Sequence, residues 1–226
     1  MTNFDKIVNW ENVFAKADEF KNNKPCKFAF IEDFFDSDFY EELYKGYPKW
    51  DDSWINKSTI TKFQFGRCWG KYGPNDITGE EKDSALNEAW NEWHQYSMSK
   101  EFLGNMKKFS GVDVNRLKYF KFTIYKKGGF QLPHIHDEGP RTLIGMLYFS
   151  KNWKKGDPGG TYISTELDES SIIFEPYNLN NTAIFFQDSP TAAHGARYIT
   201  KNVERRAMQV YLEGFEPKSG WTGRTS

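Results

Sequence analysis

The sequence predicts an α+β chain that is mainly β, with a helical N-terminal support packed on a C-terminal antiparallel barrel. A change of texture carries that reading. Before Gly111 apolar residues recur at helical spacing, and after it they alternate in short runs separated by turn residues. The aromatic load is also high, with 20 Phe, 12 Tyr and 8 Trp in 226 residues, as suits a β-rich domain with a broad core.

Taken in order, Lys27 to Phe35 is a short apolar stretch that reads as a strand. Asp36-Ser37 is a ready N-cap for a helix from Asp38 to Gly46, with Phe39 and Leu43 on one face, and Gly46 and Pro48 end it. Between Lys49 and Gly79 the text is irregular, with Trp50, Trp54, Phe63, Phe65 and Trp69 among turn residues. So aromatic a stretch predicts ordered loop and strand lying over the functional site. From Glu80 to Phe109, Leu86, Ala89, Trp90, Trp93, Phe102 and Met106 keep helical spacing, interrupted near Ser97-Ser99, which predicts one or two helices. Strands follow at Leu117 to Tyr125, Leu143 to Phe149, Thr161 to Thr165, Ala183 to Gln187 and Ala207 to Leu212. Their rate and brevity indicate an antiparallel sandwich or barrel. The length suits one domain, 1–226.

Composition narrows the function. With 30 basic and 31 acidic side chains interspersed, the chain lacks the positive field that nucleic-acid binding requires. No apolar run approaches the length of a membrane span. Cys26 and Cys68, without a cationic and apolar leader, read as two buried thiols of a cytoplasmic protein. Nothing in the sequence bears on oligomeric state.

Three of the four histidines fall late, in Pro133-His134-Ile135-His136-Asp137-Glu138 and in His194-Gly195. Imidazoles two apart share one face of a strand, and a third returning from a distant strand closes a facial metal site. If the strand runs through 138, Glu138 joins that face. Two histidines and a carboxylate would then suit non-haem Fe(II), and three histidines would be closer to a cupin dioxygenase. Arg205 opens a strand that sets Arg205, Ala207, Gln209 and Tyr211 on one face and Arg206, Met208, Val210 and Leu212 on the other. The first face suits a ligand cavity where a guanidinium grips a carboxylate, and the second suits packing on helices.

At this point the chain from Tyr125 to Leu212 resembles the Fe(II)/2-oxoglutarate-dependent oxygenases, in their prolyl 4-hydroxylase-like branch. The likeness lies in the order of its elements. Tyr125-Lys126-Lys127-Gly128-Gly129-Phe130 leads into Pro133-His134. Arg141 and Tyr148 follow, then Asn152-Trp153, Gly159-Gly160-Thr161-Tyr162-Ile163, Phe174-Glu175-Pro176, Ala183 to Gln187, His194-Gly195 and Arg205. Pro25 to Pro48 is similar to the N-terminal opening of that branch. The resemblance implies a double-stranded β-helix, a jelly-roll or cupin-like barrel, over 111–215, with helical support and loops over 1–110 and a tail over 216–226.

It further implies Fe(2+) and 2-oxoglutarate as metal and co-substrate, His134 and His194 as iron ligands, Arg205 on the distal carboxylate, and Tyr125 and Tyr148 lining the co-substrate pocket. Arg141 would reach the substrate, a peptide or small molecule that the enzyme hydroxylates as succinate and CO2 are released. Where the family writes His-x-Asp this chain has His134-Ile135-His136. Either His136 is the third ligand, or Asp137 or Glu138 supplies the carboxylate, or the motif is shifted to begin at His136. The competing readings are a 2-oxoglutarate-independent three-histidine dioxygenase and a non-catalytic barrel that binds without chemistry.

Overall fold

The computed structural model describes residues 6–69 and 82–216. The start expected for the second helical region at Glu80 and the tail beyond 216 lie outside them. Helices α1 (Trp10–Ala15) and α2 (Ala17–Asn22) precede strand β1 (Phe28–Glu32), and α3 (Ser37–Lys45) follows it. A hairpin of β2 (Ile55–Thr59) and β3 (Lys62–Cys68) comes next, then α4 (Glu88–Ser97) and α5 (Lys100–Ser110). The remainder is strand: β4 (Arg116–Tyr125), β5 (Phe130–His134), β6 (Thr142–Phe149), β7 (Thr161–Ser164), β8 (Ile172–Phe174), β9 (Asn180–Gln187), β10 (Ala193–Ala196) and β11 (Arg205–Glu213).

The helix boundaries follow from capping. Asp36 accepts a bond from the Asp38 amide at the start of α3, Asn87 from Trp90 in α4, and Ser99 from Phe102 in α5. The break expected near Ser97-Ser99 is therefore a real boundary, because Ser99 starts a second helix. Gly111, at φ 70°, ends α5 in the left-handed conformation that only glycine adopts without penalty.

Strands β1-β9-β6-β11-β4 form one antiparallel layer and β5-β10-β7-β8 the other, with β3 joining them by pairing both β4 and β5. From β4 onward the chain crosses repeatedly between the layers, which is the double-stranded β-helix. Each long strand of the first layer sorts its side chains by alternation. Phe120, Phe122, Met208, Val210 and Leu212 pack with Phe34, Trp90 and Trp93 in the core beneath the helices. Ile144, Met146, Tyr148, Phe186, Ala207 and Tyr211 face the barrel interior. The two faces assigned to the strand beginning at Arg205 are thus observed.

Elements absent from the sequence reading are α1, α2 and β8, while β2 and β3 are expected only as ordered loop and strand, and β5 and β10 only as the strands that carry the histidines. These are short or mostly polar, and owe their form to neighbours rather than to a pattern of their own. The stretch from Trp50 to Trp69 proves to be a hairpin, and Trp50 packs on Trp54 and Phe65 over its outer side. Cys26 is buried, but Cys68 is only half-buried, a correction to the expectation of two buried thiols. Among the described residues no helix is long and apolar enough to cross a membrane.

Candidate functional site

Strands β5 and β10 are neighbours, and their antiparallel register sets His194 opposite His134. His136 lies beyond the end of β5, so the turn that follows, and not strand alternation, aims its ring. The three rings nevertheless converge. Their centroids are 4.3 Å apart for His134 and His194 and 4.8 Å for each other pair, and one ligating nitrogen on each lies within 4.8 Å of the others.

Backbone carbonyls orient two of the rings. His194 Nδ1 donates to Ala192 O at 2.8 Å and His134 Nδ1 to Leu132 O at 3.1 Å. Each Nε2 is then a lone pair available to a metal. The Gln131 amide meets His134 Nε2 at 3.0 Å, and the Tyr211 hydroxyl lies 3.1 Å from His136 Nε2. Burial, aided by the neighbouring rings, holds His194 well below its usual pKa and pushes His136 down to about 3. Burial lowers His134 as well. The rings are therefore neutral near pH 7, the form that ligates. Three neutral, convergent imidazoles, His194 buried and His134 and His136 half-buried, fit a divalent transition metal better than any role in the core.

The carboxylate alternatives do not reach this cluster. β5 ends at His134, so alternation does not carry on to 138. Glu138 instead turns to the Lys118 ammonium, and its amide is held by Asp188 at 2.7 Å. Asp137 is exposed. Among the described residues the metal-competent group is the three histidines alone.

The cluster opens into a cavity of about 130 Å³. Tyr125 and Thr161 are on its wall, as are Tyr119, Lys121 and Thr123 from β4 and Gln209 and Tyr211 from β11. Arg205 is fully buried one layer behind. Its guanidinium donates to Gly159 O at 2.7 Å and reaches the hydroxyls of Thr123 at 3.4 Å and Thr161 at 3.2 Å. It also lies 4.9 Å from the ring centres of both Tyr125 and Tyr148. An anion in the cavity meets the threonine hydroxyls first, with a cation behind them that no described carboxylate neutralises. That is a fitting seat for a carboxylate. Tyr148 holds the wall in place by accepting the Thr161 amide at 2.8 Å.

Arg141 is not in this assembly. It bridges Asp113 and Glu216 at the surface, packed against Gly214, and so is engaged away from the cavity. The segment from Asp168 to Tyr177 contributes nothing to the cavity wall. Its strand β8 pairs instead along the outer edge of β7. The hairpin does contribute, through Lys57, Lys62 and Gln64. The sequence reading missed Lys121, although a signal existed: Phe120, Phe122 and Ile124 alternate with Tyr119, Lys121, Thr123 and Tyr125, which puts a lysine on an inward face.

No protein-family model matches the sequence, and neither does any curated protein. Solved structures do match in fold. A prolyl-4-hydroxylase from Pseudomonas putida superimposes with a TM-score of 0.62 at 12% identity, covering 89% of this chain and 98% of its own. A 2OG-Fe(II) oxygenase family oxidoreductase from Burkholderia pseudomallei gives 0.62 at 11% identity, covering 96% and 95%. A Trichoplax adhaerens prolyl hydroxylase, solved with a peptide fragment of hypoxia inducible factor, gives 0.61 at 12% identity over 90% and 88%. The fold is that of the 2-oxoglutarate/Fe(II) oxygenases, in the prolyl-4-hydroxylase-like form.

Proposed function

We propose that the chain acts as one oxygenase domain, an Fe(II)- and 2-oxoglutarate-dependent hydroxylase of a small-molecule or peptide substrate. The observation that carries this reading is a cavity lined by three neutral imidazoles, with a buried guanidinium directly behind its Thr123 and Thr161 wall that has no carboxylate partner among the described residues. His134, His136 and His194 would hold the iron. Arg205, through Thr123 and Thr161 and flanked by Tyr125 and Tyr148, would receive the distal carboxylate of 2-oxoglutarate. Once bound, iron and 2-oxoglutarate would activate dioxygen, the oxidant: 2-oxoglutarate would take one oxygen atom as it becomes succinate and CO2, and the other would enter a substrate C–H bond.

The protein's own part is orientation and exclusion of water. Ala192 O and Leu132 O fix the imidazole planes. Phe186, 4.5 Å from the His194 ring centre, closes the apolar side. A neutral ligand set leaves the dipositive charge of the ion uncompensated by protein, which favours an anionic chelator.

The test is anaerobic titration of the Fe(II)-loaded protein with 2-oxoglutarate, following the weak visible charge-transfer band of the chelate. A band that forms in the native chain and is lost in Arg205→Met supports the reading. The absence of a carboxylate ligand favours a second reading, a three-histidine dioxygenase that does not use 2-oxoglutarate. Iron that binds without producing a band would select it. A chain that binds no iron would be a binding module.

A further inference from the structure

The cavity carries more positive charge than a metal and one co-substrate account for. Lys121, on the inward face of β4, is only 2% exposed, and no described carboxylate or other acceptor meets its amine. Its side chain runs across β3 at Gly66, where a Cβ would stand 2.1 Å from Lys121 Cε and 2.7 Å from Nζ. Only a residue without a side chain leaves that path open. Lys57 from β2 and Lys62 from β3 line the same cavity as Lys121, and the charge of each bears on it. No Asp or Glu is on the wall among the described residues. Elsewhere in the chain Lys118 and Lys151, each only partly exposed, are met by Glu138 and Glu41.

Such an arrangement opposes folding. Burying an ammonium costs several kcal/mol unless it is paired, and like charges in contact add to that cost. Nothing in the packing repays it. The Lys121 side chain makes no described hydrogen bond to an acceptor, and Gly66 gives up a side chain to make room for it. Groups kept at such a cost face a ligand of opposite charge.

We propose that Lys57, Lys62 and Lys121 form an oxyanion site that recognises a carboxylate or phosphate group on the primary substrate. For the word substrate this rests on the oxygenase reading, in which one carboxylate of 2-oxoglutarate goes to the metal and the other to Arg205, leaving the lysines unneutralised. Lys62 pairs across to Gln131, on the strand that ends at His134, so its anion sits on the histidine side of the cavity. The hairpin that supplies Lys57 and Lys62 thereby sets substrate class.

The experiment is calorimetric titration of the full chain, Fe(II)-loaded under anaerobic conditions and saturated with 2-oxoglutarate, at low ionic strength. Inorganic phosphate is the probe in one arm and acetate in the other; the tighter binder distinguishes a phosphorylated from a carboxylated substrate. The site predicts saturable binding weakened by about tenfold or more in Lys121→Met and in Lys57→Met/Lys62→Met. The 2-oxoglutarate charge-transfer titration should be unchanged in both variants. Anion binding that persists in the variants would belong to the metal and would overturn the proposal. So would loss of the 2-oxoglutarate band in Lys121→Met, which would make the lysines part of the co-substrate seat. If neither anion binds while the band forms normally, the oxyanion site is wrong and the oxygenase reading stands. If the anions bind through the lysines and no band forms, the oxygenase reading fails and the anion site stands. Lys121→Met removes a buried charge, so a folded variant is expected. Gly66→Ala provides a second, charge-conserving variant that displaces the same amine and should weaken the same binding.

Discussion

Replacing Lys121 by methionine should make the protein more stable, and by an amount that depends on pH in a defined direction. Burial, reinforced by Lys57 and Lys62 and only partly offset by Cys68, lowers the Lys121 ammonium from its ordinary 10.5 to about 7. Below pH 7 both the folded and the unfolded chain hold that proton, and the folded state carries the full cost of the buried charge. Between pH 7 and 10.5 the unfolded chain keeps the proton that the folded chain has shed, so stability rises with pH and the cost fades. The displacement corresponds to an upper bound on the order of 5 kcal/mol. Cavity water and relaxation reduce it to about 2 kcal/mol, within the range found when buried charges are replaced by apolar groups of similar size. For a chain of this length that is about 4–8 °C in Tm. Thermal or urea unfolding of both proteins from pH 6 to pH 10 is the assay. The variant should lead at pH 6, and the gap should close toward pH 10. A variant that is less stable at pH 6, or a gap that does not change with pH, would refute the description of Lys121 as an unpaired buried cation.

Other outcomes follow from the same geometry. His194→Ala should abolish stoichiometric Fe(II) binding with the circular dichroism spectrum retained, because the ring packs at the cavity and not in the core under the helices; full iron occupancy would remove His194 from the site. Arg205→Met should raise the Kd for 2-oxoglutarate in the anaerobic spectroscopic titration by about 10-fold to 100-fold, the size expected for losing charge-assisted hydrogen bonding. Asp137→Asn should leave iron affinity within about twofold, since the carboxylate is exposed and outside the histidine cluster; a large loss measured by metal competition would restore a carboxylate ligand. Trp93→Ala, at a fully buried ring between Phe34, Phe35 and Phe102, should cost about 3–5 kcal/mol in urea unfolding.

The parts of the fold legible in the sequence were those with strong local signals. The helices α3, α4 and α5 announce themselves through Asp36, the Ser97-Ser99 interruption and Gly111, because capping chemistry is local. β4, β6, β9 and β11 are long enough for alternation to show which face is apolar. The short strands β8 and β10 have no such length, and the hairpin of β2 and β3 is held by its pairing with β4 and β5 and by Trp50 rather than by a hydrophobic pattern.

For the site, the sequence alone determined the residue types and their order: His134, His136 and His194, then Arg205 on an inward-facing strand, with Tyr125 and Tyr148. Types and order are written along the chain, and alternation sets the inward face of β11 that carries Arg205; the aim of the His136 ring, beyond the end of β5, belongs to the turn that follows. Which carboxylates take part was decided only in three dimensions. Asp137 and Glu138 adjoin His136 in the chain, but the strand ends at His134, and Lys118 and Asp188 draw the following turn outward. Arg141 likewise went to Asp113 and Glu216. The inward face of Lys121 is legible in the alternation of β4, but its meeting with Lys57 and Lys62 was beyond sequence reasoning for the same reason. Lys57, Lys62 and Lys121 stand on three different strands, and charge is compensated by whatever the packing brings within a few ångströms, which no spacing along the chain records.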